Sequence, residues 1–93
     1  MEITYDPAKN ARNLAERGLS FDRAADLIWT DAVVWEDQRQ AYPERRFVAV
    51  GYLDTRLHVL CFAETVIGIR VISFRKANLR EARNHGKPLT LDE

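Results

Sequence analysis

A single cysteine, Cys61, leaves the 93-residue chain no internal disulfide and no cysteine-based metal site. That usage suits a reducing cytoplasm. No apolar run approaches the roughly 20 residues needed to cross a bilayer, so a membrane role is not expected. The start, "MEITYDPAKN", has neither the basic end nor the apolar stretch of a signal peptide. Low-complexity segments and internal repeats are missing too. The histidines and acids show no metal-ligand spacing, so neither a metal nor any other cofactor is expected. What remains is 46% hydrophobic and 30% charged, which excludes disorder and fits one globular domain over residues 1–93.

The net charge of zero conceals an asymmetry. Residues 1–37 hold eight acids and four bases, whereas residues 38–91 hold ten bases and four acids. Eleven of the fourteen bases are arginine. Arginine's planar fork binds phosphate and carboxylate through paired hydrogen bonds and stacks on bases.

Short-range signals give the order β-α-α-β-β-β-β-α. "EITY" alternates as a strand. Asp6 and Pro7 read as N-cap and first residue of a helix that runs to Arg17 and stops at Gly18. Ala11 and Leu14 form its apolar stripe. Ser20 caps a second helix, Phe21 to about Trp29, with Phe21, Ala24, Ala25 and Ile28 on one face. Strands follow in "AVVWE", "RRFVAVGYL", "RLHVLCFAE" and "IRVISFRKA", the middle two joined by the turn "DT". "NLREARNHG" is a last short helix. The short connections imply an antiparallel sheet of about four strands with helices on one face, an α+β sandwich. Trp29, Trp35 and Cys61 read as core residues.

The segment "RVISFRKA" surrounds an apolar strand with three cations. Strand alternation puts Arg70 and Lys76 on one face and Arg75 on the other, unless a bulge intervenes. Arg70 needs an anion: a carboxylate such as Glu64, or a bound phosphate. Glu44, Arg45 and Arg46 enter a neighbouring strand, and His58 lies on the strand between. Such a set suits RNA cleavage, in which an acid or a histidine takes the 2′-hydroxyl proton. Arginine or lysine then stabilises the charge that builds on phosphorus. Tyr42, Trp35 or Tyr52 would offer faces for splayed bases.

The order and spacing of these motifs resemble the BrnT family of type II toxins. "YDPAKNARNLAERGLSFDRAADLI" matches its opening signature through Tyr5, Asp6, Pro7, Lys9, Asn10, Asn13, Gly18, Ser20, Phe21 and Ala24. "YPERRFVAVGYL" and "RVISFRKANLREARNH" resemble its middle and closing segments. Two positions depart from the pattern. Arg17 stands where the family commonly has histidine, and Pro43 where it favours glycine. The resemblance implies a RelE-like fold and metal-independent cleavage of RNA that arrests translation and growth. It also implies neutralisation by a BrnA antitoxin with a ribbon-helix-helix end, with operator DNA bound only through that antitoxin. Carried onto this sequence, the candidate catalytic residues are Arg70, Glu44, Arg46 and Lys76. The candidate RNA-binding residues are Arg75, Arg45, Lys9, Asn13 and Tyr42. The histidine's proton-transfer role cannot pass to Arg17. A non-catalytic homologue, acting as a protein-binding or co-repressor module with a ribbon-helix-helix partner, is the alternative.

Overall fold

The structure, a computed structural model, describes residues 1–91. In chain order it has β1 (Glu2–Tyr5), α1 (Pro7–Arg17), two 3₁₀ helices (Phe21–Asp26 and Trp29–Asp31), β2 (Val33–Glu36), β3 (Phe47–Leu53), β4 (Arg56–Glu64), β5 (Gly68–Lys76) and α2 (Leu79–Asn84). The five strands form one sheet in the order β1-β5-β4-β3-β2. Strands β2 to β5 pair antiparallel, as expected, β3 to β5 through short turns and β2 to β3 through the longer loop 37–46. Strand β1 lies parallel to β5, placing Glu2 opposite Gly68. The expected RelE-like sheet of about four antiparallel strands is therefore corrected to a five-stranded mixed sheet.

Local signals explain the ends of α1. The Asp6 carboxylate accepts from Ala8 N–H, Pro7 occupies the first turn, and Gly18 takes the left-handed conformation at φ 66°. The expected apolar stripe on α1 is not buried. No residue of α1 is buried, and Leu14 is 50% exposed. Side-chain amides hold the helix instead. Asn10 Oδ1 accepts from Phe21 N–H at 2.7 Å, and Asn13 Nδ2 donates to the carbonyls of Leu19 and Phe74, each at 3.0 Å.

The second helix is 3₁₀ rather than α. Its buried residues are Phe21 and Ala24, followed by Leu27 just past its end. That is a period of three, which stacks side chains along one edge of a 3₁₀ turn. Ile28, placed on the apolar face by an α-helical reading, is 45% exposed.

Apolar side chains cover both faces of the sheet. One cluster gathers Phe21, Ala24 and Leu27 onto Ala49, Leu53, Leu60, Phe62, Ile69, Val71 and Phe74. The other gathers Val48, Val50, Tyr52, Leu57 and Val59 under Ala77, Ala82, Leu89 and Leu91. The expectation of helices on one face alone is thus corrected: α2 and the chain after it cover part of the opposite face. Each fully buried Leu, Val or Phe stabilises this arrangement by about 1.5–3 kcal/mol.

A bulge in β5 decides where its cations point. Cys61 lies opposite Ser73 but Phe62 opposite Val71, so Ile72 is the extra residue. Ile69, Val71 and Phe74 consequently all enter the first cluster. Arg70, flanked by Ile69 and Val71, points to the second face. Arg75 lines a depression there with Val48, Val59 and Cys61. Lys76 lies opposite His58 on the first face. The pairing of Arg70 with Lys76 on one face is therefore corrected: Arg70 shares its face with Arg75.

Candidate functional site

Glu44 sits between two arginines brought together from distant segments. Its carboxylate is ion-paired with Arg70 and lies 3.7 Å from Arg46 Nε. Glu44, and not Glu64, is thus the anion that answers Arg70. Arg46 packs over the Tyr42 ring at 4.3 Å from its centroid. Its Nε is buried and has no hydrogen-bond partner. The Tyr42 hydroxyl donates to Asp37 at 3.0 Å, and Arg39 clamps the same carboxylate with contacts of 2.7 and 2.8 Å. These hydrogen bonds, Arg39's foremost, hold Asp37 well below the usual carboxylate range. A charged, nearly buried carboxylate thus fixes the loop that carries Tyr42 and Glu44.

The same face continues along β5. Arg75 makes a two-pronged pair with Glu81, at 2.7 and 2.8 Å. Glu81 also accepts from Asn78 N–H, completing a capping box at the start of α2. The Arg75 guanidinium pulls the Glu81 carboxyl down to about 2. Beside this pair Trp35 is 39% exposed and stacks on His85 at 5.1 Å. The expectation of a buried Trp35 is corrected, whereas Trp29 is half-buried and packs against the core, edge-on to Phe62 at 5.5 Å. Cys61 is half-buried on this face. His85 had no place among the candidates from sequence. Its only sequence signal was the end of a short helix, and α2 delivers it to the surface that holds Arg75 and Trp35.

Of the nine candidate residues, the structure brings Glu44, Arg46, Arg70 and Tyr42 into contact, with Arg75 on the same face. Four lie elsewhere. Arg45 pairs with Glu36 at 3.0 Å and stacks over Phe47, which belongs to the opposite cluster. Lys9 is exposed on α1. Asn13 spends its amide on Leu19 and Phe74. Lys76 lines a cleft on the first face with Arg17, Arg23, Asp54, Arg56 and His58. His58 is 4% exposed, and its Nδ1–H donates to the Arg56 carbonyl at 2.7 Å. Burial, with Arg56 and Lys76 nearby, pushes its pKa down.

Among the described residues no group of three or more His, Cys, Asp or Glu side chains is placed to hold a metal ion. No helix there is long and apolar enough to cross a membrane. A family model described as "Ribonuclease toxin, BrnT, of type II toxin-antitoxin system" matches residues 5–81. No curated protein matches the chain.

Proposed function

We propose, because the chain belongs to the BrnT family of ribonuclease toxins of type II toxin–antitoxin systems, that the Arg46–Glu44–Arg70 group is the centre of its RNA-cleaving surface. The observation that supports this most is one carboxylate held by two arginines, beside a tyrosine ring. An incoming phosphodiester competes with Glu44 for both guanidiniums. As Arg46 and Arg70 turn to the phosphate, Glu44 is freed to take the proton of the 2′-hydroxyl. The 2′-oxygen bonds to phosphorus as the bond from phosphorus to the 5′-oxygen breaks, and the leaving 5′-oxygen takes a proton from water, giving a 2′,3′-cyclic phosphate and a 5′-hydroxyl. The two arginines stabilise the charge that develops. This route needs no metal because the nucleophile belongs to the RNA. Tyr42 and the Trp35–His85 stack offer faces for bases, and Arg75 a further phosphate contact.

On this reading the protein works in the cytoplasm, arrests translation and growth, and is neutralised by a BrnA-type ribbon-helix-helix antitoxin. Operator DNA is bound only through that partner. Arg17, in place of the family histidine, favours the second reading of a non-catalytic co-repressor subunit. Purified chain free of antitoxin should cleave single-stranded RNA in excess EDTA. Arg70→Ala should lower the rate by about 100-fold or more, with an unchanged circular dichroism spectrum. A well-folded wild type that neither cuts RNA nor arrests growth would sink the enzyme reading and leave the co-repressor one. Full activity in Arg70→Ala would remove the proposed surface.

A further inference from the structure

Most arginines of the chain are already engaged by carboxylates. Arg23, Arg39, Arg45, Arg46, Arg70 and Arg75 each lie within ion-pair distance of Asp or Glu. Arg17, Arg56 and Lys76 have no such partner among the described residues, and all three line the same cleft. They come from three different elements: the last residue of α1, the first of β4 and the last of β5. The cleft's one acid, Asp54, is held by Arg23 at 2.9 Å.

Arg56 shows that the convergence is built rather than incidental. One of its guanidinium nitrogens donates to the Ala77 carbonyl at 2.7 Å, which fixes the group at the cleft wall. Its Nε is buried and has no hydrogen-bond partner. A buried donor left unsatisfied is unfavourable, so the guanidinium keeps unmet hydrogen-bonding capacity beside the cleft. His58, in the same wall, donates its Nδ1–H to the Arg56 carbonyl, which ties down the backbone that carries Arg56. Three cations of like sign gathered from separate elements repel one another in the free protein. A compact ligand with several negatively charged oxygens removes that repulsion, and a phosphate group meets the description better than a single carboxylate.

We propose that this cleft is a second phosphate-binding site, on the sheet face opposite Arg70, and that it takes a phosphate group of the RNA strand through Arg17, Arg56 and Lys76. The phosphate chemistry stands without the cleavage reading; the choice of RNA as its source rests on that reading. The site also gives Arg17 a task as a fixed cation where the family pattern has a titratable ring.

Two titrations test it. In the first, inorganic phosphate is added to the ¹⁵N-labelled chain. The amide resonances of Gly18, Leu19 and Asp54 should shift saturably, and Arg17→Ala/Lys76→Met should weaken this binding by about tenfold or more. Arg80→Ala, an exposed arginine outside the cleft, should leave it unchanged. In the second, a 2′-O-methyl oligoribonucleotide carries the phosphates without the nucleophile. Its affinity should fall about tenfold in the double variant, with a shallower dependence on salt. Absence of cleft shifts with phosphate would overturn the site. Cleft shifts with phosphate but equal oligonucleotide affinity in the double variant would overturn RNA as the ligand. Displacement by polyglutamate and not by phosphate would assign the cleft to an acidic protein segment instead. Full RNA cleavage by Arg70→Ala would remove the active surface and leave these results untouched, so the two ideas fail separately.

Discussion

Asn13 donates its side-chain amide to two carbonyls, Leu19 in the loop after α1 and Phe74 in the bulged strand. Asn10 accepts from Phe21 N–H at the start of the first 3₁₀ helix. Together they do for α1 what an apolar stripe does for most surface helices. Asn13→Ala leaves two carbonyls short of a donor, and should lower stability by about 1–3 kcal/mol, read as a lower denaturation midpoint. Cleavage per folded molecule should be unchanged, because the amide is not free to meet RNA. Equal stability with lost RNA binding would restore Asn13 to the binding surface. The two asparagines stood out in the sequence, but their task did not. A polar residue on a helix reads as solvent-facing or functional until its long-range partner is seen, and Phe74 is 61 residues away from Asn13. The Glu44–Arg46 motif was legible for the opposite reason. Both lie in one short segment, and an arginine on a half-buried strand demands an anion wherever it points.

At the scale of elements, strand spans followed from alternation and turn chemistry. The "DT" turn holds Asp54 and Thr55 at φ 49° and 66°, both in the left-handed region that a two-residue hairpin demands. The bulge at Ile72 was not legible, since one extra residue leaves no mark in an apolar strand. Yet it alone moves Arg75 to the face of Arg70 and separates Lys76 from both. The parallel seat of β1 was equally hidden, because it depends on Gly68 rather than on β1. A Cβ at Gly68 would overlap the backbone of Glu2. Gly68→Ala should therefore push β1 off the sheet edge. Faster amide exchange over residues 2–5 than in the wild type, with β3 and β4 unchanged, is the expected outcome. Unchanged protection at Ile3 and Tyr5 would show that the edge tolerates the methyl group.

Across the whole molecule, the split between an acidic first third and a basic remainder is partly consumed inside the fold. Glu36 meets Arg45, and Asp31 meets Lys87. Two carboxylates, Asp37 and Glu81, are held far below their ordinary range, and one imidazole, His58, is pushed below its own. These set the acid branch of stability. His58 acts first. Its folded pKa lies below the ordinary value of about 6.5, so the unfolded chain takes up the proton first and stability falls as pH drops below about 6.5. Glu81 acts next. Its folded value of about 2 lies below the ordinary carboxylate range. Its contribution is complete above about 4.5 and is lost as pH falls toward 2. Urea denaturation from pH 8 to pH 2.5 should therefore show a midpoint that falls in two stages. His58→Gln should flatten the upper stage. Glu81→Gln should lower the midpoint at neutral pH, because it weakens the Arg75 pair, and flatten part of the lower stage. Asp37→Asn should flatten a further part, leaving the smaller contributions of Glu36 and Asp54, which Arg45 and Arg23 also hold below the ordinary range. A lower stage unaltered in both carboxylate variants would mean that other groups carry the acid response.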